Sequence, residues 1–176
     1  MGGSHGNFDA VTKLSNCAVM NPAVLFRGAE AGDAALLTRI ALAGKQHWGY
    51  PNEWMDAWRY DLTVTTEYIR TQPVRVAERA GEVIGFVGLS STAEGRYLEH
   101  LWQWPRHIGN GFGRMLFAEA VRVAKAEGVS ELRINADPNA EPFYLKMGAV
   151  RRELEVYFLL GKVRREVPLM SYWIVG

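Results

Sequence analysis

The run WPRHIGNGFGRML, residues 104–116, sets Gly109, Gly111 and Gly113 at alternate positions where an extended segment gives way to a helical one. A glycine loop that opens a helix leaves the first N–H groups unpaired and adds the positive end of the helix dipole, so it can hold a phosphate without a lysine. Glycine also serves tight turns and close helix packing, and the loop taken alone leaves those readings open. No Gly-Lys-Ser/Thr follows, which removes a Walker A loop. The spacing is Gly-x-Gly-x-Gly, not Gly-x-Gly-x-x-Gly, and the loop follows three strand-like runs instead of sitting in an early βαβ unit. Both facts disfavour a dinucleotide fold.

The flanking patterns place the loop within a fold. AVLFRGA, from Ala23, reads as a short strand, and Asp33 is placed to cap a helix with Leu36, Leu37, Ile40 and Leu42 near helical spacing. WGYPNE separates it from a second helical stretch, about Glu53 to Ile69. VRVAERAGEVIGFVGLS reads as a hairpin turning at Ala80-Gly81, and RYLEHLWQW as a third strand. After the loop, Phe112, Leu116, Ala120 and Val123 line one helix face, which Gly128 terminates. SELRINA is then a strand, AEPFYLKMG a short helix ended by Gly148, and residues 149–175 a final strand pair. The order β-α-α-β-β-β-α-β-α-β-β predicts an α/β (α+β) fold, a mixed sheet covered by helices.

Composition narrows the partners. A chain of 176 residues, 48% hydrophobic, can bury one full core, and residues 23–176 read as a single domain. Residues 1–22 lack clear periodicity and read as an N-terminal extension, disordered or foreign to the fold. Twenty Lys+Arg against 19 Asp+Glu give a formal charge of +1, and the pairs Arg151/Arg152 and Arg164/Arg165 are too short to track a nucleic-acid backbone. No apolar run approaches the ~20 residues of a membrane helix, and Gly6 stands where a myristoylation signal needs Ser or Thr. The expectation is a cytoplasmic protein with neither nucleic acid nor membrane as partner. Cys17 is the sole cysteine, and His5, His47, His100 and His107 show no ligand spacing, so no metal is expected.

Residues 98–149, LEHLWQWPRHIGNGFGRMLFAEAVRVAKAEGVSELRINADPNAEPFYLKMGA, resemble the acyl-CoA-binding core of the GNAT N-acetyltransferase superfamily, and the element order matches that fold from about Ala23 onward. The resemblance implies a largely antiparallel sheet with splayed central strands, and acetyl-CoA as cofactor with no metal. It implies that Gly109, Asn110, Gly111, Phe112, Gly113 and Arg114 receive the pyrophosphate, mostly through backbone N–H groups, and that His107 and Ile108 before them also bind the coenzyme. It also implies that Trp102, Gln103 and Trp104, at the bulging strand end, and Asn139, Phe143 and Tyr144 line the coenzyme, with the Tyr144 hydroxyl beside the sulfur. Two positions depart from the family pattern: Ile108 replaces the usual Arg or Gln, and Asp137 stands where many members carry Asn.

Acetyl transfer from a thioester to an amine needs a hydrogen-bond donor to the carbonyl, a route for the amine proton and a proton for the thiolate. Strand alternation puts Tyr97, Glu99, Leu101 and Gln103 on one face and Leu98, His100, Trp102 and Trp104 on the other, until a bulge intervenes. Members of the family often place the base, or a residue ordering a base water, at positions matching Tyr97 and Glu99. Glu99 is the candidate base and Tyr144 the candidate thiolate partner; a solvated Glu99 and a packing Tyr144 are the bland alternatives. His100 has the better intrinsic pKa but faces away. Trp48, Tyr50 and Trp54, with Tyr97 and Glu99, are the candidate acceptor site; packing a helix onto the sheet is the other reading of those aromatics. The function expected is transfer of acetyl to a primary amine of a small molecule by direct attack in a ternary complex. The alternatives are a peptide or protein N-acetyltransferase and a non-catalytic acyl-CoA sensor, and a homodimer is left open.

Overall fold

The first four strands pair in chain order, the second to the fourth through short turns and the first with the second across the helix-bearing residues 29–73. β1 (Val24–Gly28), β2 (Val74–Arg79), β3 (Glu82–Thr92) and β4 (Gly95–Gln103) form an antiparallel meander, with the β2–β3 turn at Ala80 and Gly81, both at positive φ. β5 (Glu131–Asn135) lies parallel to β4, and β7 (Val163–Trp173) and β6 (Val150–Leu159) complete a seven-stranded sheet of order β1-β2-β3-β4-β5-β7-β6. The structure, a computed structural model, describes residues 23–175; the expected extension over 1–22, with Cys17, lies outside them.

Helices cover both faces. α1 (Ala34–Gln46), α2 (Asn52–Ala57) and α3 (Thr66–Thr71) lie on one side, where Leu37, Ile40 and Trp58 meet Val76 and Phe86. α4 (Phe112–Ala126) and α5 (Glu141–Lys146) lie on the other, where Leu116 and Ala120 meet Val87, Leu89 and Leu132. β3 is buried on both faces, which is why it reads as a near-continuous apolar run. Full burial of a side chain such as Phe86 or Leu116 stabilises by about 1.5–3 kcal/mol. β6 is the opposite case, an edge strand with Leu154, Val156 and Phe158 exposed.

Three expectations need correction. The stretch from Glu53 to Ile69 is two helices, α2 and α3, because Leu62 and Val64 bury at alternate positions and the β-branched run Thr63–Thr66 favours extended backbone. Thr65 then caps α3 by accepting from the Tyr68 N–H at 3.0 Å. Asp33 does not cap α1 with its side chain. Its carboxylate turns back to accept from the Glu30 N–H at 2.8 Å and from the Arg27 guanidinium at 2.7 and 3.0 Å, closing a capping box one turn earlier. Finally, β4 bulges at Glu99: His100 pairs with Gly88 and Leu98 with Leu89, so Leu98 moves to the α4 face beside Leu101.

β4 and β5 pair only at Arg96–Leu132 and Tyr97–Arg133, then diverge. Among the described residues no helix is long and apolar enough to cross a membrane, and no group of three or more His, Cys, Asp or Glu is placed to hold a metal.

Candidate functional site

The divergence of β4 and β5 opens a cavity of about 420 Å³ whose wall runs from the glycine loop to the α1 side of the sheet. The loop is left-handed at Gly109 (φ 87°) and Gly111 (φ 82°), conformations that suit glycine. A Cβ at either would meet nothing within 4 Å, so the loop stands open. Among the described residues no acceptor meets the N–H of Gly109, Gly111, Phe112 or Gly113; the hydrogen-bonded N–H groups here are those of Asn110, Arg114 and Met115. Unpaired N–H groups at a helix start, with Arg114 and Lys146 on the same wall, suit a phosphate. Ile108, Gly109, Gly111 and Gly113 line the cavity, whereas His107, Asn110 and Phe112 do not. His107 and Phe112 instead pack edge to face beneath the loop, with centroids 5.6 Å apart, and burial next to Arg106 and Arg79 lowers the His107 pKa.

Trp102 and Gln103 form the strand-end wall. The Trp104 N–H is taken by the Ile84 carbonyl at 3.1 Å, and its indole donates to Val83; Trp104 thus leaves the cavity. Alternation then turns the Gln103 N–H toward the opening. Trp102 lies so close to α1 that a Cβ at Gly44 would sit 2.9 Å from its ring. Its indole donates to His100 Nδ1 at 3.2 Å. His100 is buried between Tyr68 and Phe86 away from the cavity, and desolvation pulls its pKa down to about 4. It is neutral at physiological pH.

Tyr144, on α5, reaches the cavity with Phe143 and Asn139. Burial, reinforced by the charge of Asp137, raises the Tyr144 pKa, so the phenol stays a proton donor. Glu99, at the bulge, lines the same cavity, and its carboxylate accepts from the Ser90 hydroxyl at 2.9 Å. Tyr97 lies off the wall, its hydroxyl 3.4 Å from Glu94.

Trp48 lines the α1 end, but Tyr50 and Trp54 stand behind the wall. Tyr50, Trp54 and Trp58 pack against one another at 5.0–5.9 Å. Two residues that sequence reasoning missed join them: Lys45, whose Nζ lies 2.5 Å from Asp137 and 4.2 Å above Trp58, and Arg165, about 5 Å above Tyr50 and Trp54. The Tyr50 hydroxyl donates to Asp137 at 2.9 Å and accepts from Asn139 Nδ2 at 2.8 Å and from Arg165 at 3.2 Å. Burial pushes the Asp137 pKa up, but Lys45 and the hydrogen bonds outweigh it and hold the carboxyl below its usual value. The one available signal was Asp137 itself, an anion in a half-closed site that needs a cation nearby.

A family model described as an acetyltransferase (GNAT) domain matches residues 52–158. No curated protein matches the sequence. Among solved structures, the chain is similar to a GCN5-related N-acetyltransferase from Rhodopseudomonas palustris, with TM-score 0.73 and 24% identity over 87% of this chain and 96% of that one. It is similar to the PaiA N-acetyltransferase from Thermoplasma acidophilum, solved with coenzyme A, with TM-score 0.72 and 19% identity over 86% and 99%. It is also similar to YncA from Salmonella typhimurium, solved with acetyl-CoA, with TM-score 0.62 and 18% identity over 88% and 95%.

Proposed function

Since the chain belongs to the GNAT acetyltransferase family, we propose that it moves the acetyl group of acetyl-CoA to a primary amine of a small molecule by direct attack in a ternary complex. The observation that carries this reading is one cavity with free loop N–H groups at one end and Tyr144 and Glu99 further along its wall. Acetyl-CoA would supply the acetyl group as a thioester and leave as the thiol.

The residues divide the remaining work. Gly109, Gly111, Phe112 and Gly113 offer N–H groups to the pyrophosphate, with Arg114 and Lys146 adding charge. The Gln103 N–H stands where it can polarise a carbonyl lying in the strand opening. Glu99 takes the amine proton, directly or through a water, and its link to Ser90 holds it at the bulge. Tyr144 donates a hydrogen bond toward the sulfur position, a role its raised pKa protects. A non-catalytic sensor would need the loop but neither Glu99 nor Tyr144 on the same wall.

An acceptor screen over amines, amino acids and peptides, with acetyl-CoA and thiol detection, tests the reading. Acceptor-dependent thiol release from small amines is expected; release only with peptides would transfer the assignment to a peptide acetyltransferase.

A further inference from the structure

At and just behind the α1 end of the cavity stand two cations and one carboxylate, Lys45 and Arg165 against Asp137. Lys45 and Arg165 both stand over Tyr50 and Trp58, the ammonium at 5.1 and 4.2 Å and the guanidinium at 5.0 and 5.5 Å. Asp137 is matched by Lys45 at 2.5 Å. Among the described residues no carboxylate forms an ion pair with Arg165, whose Nε is buried without a hydrogen-bond partner. Ring faces attract a cation without neutralising it, and a guanidinium is the side chain best shaped to take a carboxylate through two N–H groups. The Tyr50 hydroxyl that Arg165 touches also bonds Asp137 and Asn139, which both lie on the cavity wall. Lys45 is therefore in the wall, and Arg165 one hydroxyl behind it. Across the same cavity, the carboxylate of Glu99 accepts from the neutral Ser90 hydroxyl, and among the described residues it forms no ion pair.

We infer that the acceptor carries a carboxylate beside its amine, as a free amino acid does. The inference rests on the transferase reading above, which assigns the phosphates to the glycine loop and so leaves one positive charge of the Lys45–Asp137–Arg165 group without an anion. The acceptor carboxylate lies toward Lys45 and Arg165 and its amine toward Glu99, with Trp48 and Trp102 as an apolar wall for the side chain. A plain amine or polyamine brings only positive charge to a place that already holds a surplus.

Matched acceptor pairs test this with the full chain: L-leucine against isopentylamine, L-methionine against 3-(methylthio)propylamine, and L-phenylalanine against 2-phenylethylamine. Thiol release is measured with acetyl-CoA present, and the melting temperature with each compound alone. In at least one pair the amino acid should exceed its decarboxylated partner by about tenfold or more in kcat/KM, the size expected of a hydrogen bond to a charged group, and only the amino acid should raise Tm. Arg165→Met keeps the apolar stem over the rings and should collapse that ratio mainly through KM, while Arg165→Lys should restore part of it; the Tm shift with acetyl-CoA reports whether each variant is folded. Plain amines turned over as well as amino acids in every pair would overturn the carboxylate and leave the transferase reading standing. No thiol release from any compound, with the acetyl-CoA shift intact, would overturn both.

Discussion

At the scale of single residues, Tyr144 and His100 show how burial assigns roles to groups of ordinary chemistry. Tyr144→Phe keeps the ring among Phe117 and Phe143 and removes only the hydroxyl. If that hydroxyl stabilises charge as it develops on sulfur, the loss falls on turnover: kcat should drop at least ~10-fold with acetyl-CoA affinity nearly unchanged. Pre-steady-state acetyl transfer at the parental rate would make Tyr144 a packing residue. His100 is held neutral by desolvation, its pKa lowered from 6.5 to about 4, while an unfolded chain would protonate it near 6.5. The unfolded state therefore binds more protons as pH falls, so the stability present above pH 6.5 is lost progressively toward pH 4. Between pH 7 and 5 the loss should reach about 2 kcal/mol, read from denaturant midpoints, and His100→Gln should flatten that slope. Carboxylates such as Asp137, whose pKa is lowered below 3.8, titrate beneath this window.

At the scale of elements, the start of α4 carries the clearest expectation. Coenzyme A at a hundredfold excess over its Kd should stabilise the fold by about 2.7 kcal/mol. Gly111→Asp suits a test because Asp tolerates the left-handed backbone better than most residues, so the main change is a carboxylate at the helix start. The variant should lose the coenzyme-induced Tm shift; a full shift in Gly111→Asp would place the phosphates elsewhere. This element was legible in the sequence because its constraint is local: three alternating glycines and an amphipathic run sit within twenty residues. The β2–β3 hairpin was legible for the same reason. What escaped was non-local or arithmetic. The extended segment between α2 and α3 is held in part from afar, by Thr38 of α1 accepting from the Val64 N–H at 3.0 Å, and the bulge at Glu99 adds one residue that no letter marks. Lys45 and Arg165 are separated by most of the chain and meet only because β7 and α1 flank the same aromatic cluster.

At the scale of the whole molecule, the sheet is two sets of strands, β1–β4 and β5–β7, joined by two residue pairs and by the core beneath α4. The Lys45–Asp137 contact ties the sets again on the opposite face. The outer boundary of the second set is β6, ten residues long, and among the described residues no strand pairs with its outer side. Leu154, Val156 and Phe158 stand exposed there at alternate positions. Such a strip is a template onto which a neighbouring chain can add a strand, and the interleaved Glu153 and Glu155 oppose that by bringing like charges together. Replacing both, as Glu153→Val with Glu155→Val, should leave the coenzyme-induced Tm shift intact while light scattering on gentle heating rises earlier than for the parent. Scattering that begins at the parental temperature would assign protection to Arg151 and Arg152. Through this one strand, two glutamates outside the cavity wall should set how concentrated a solution the protein tolerates before it associates.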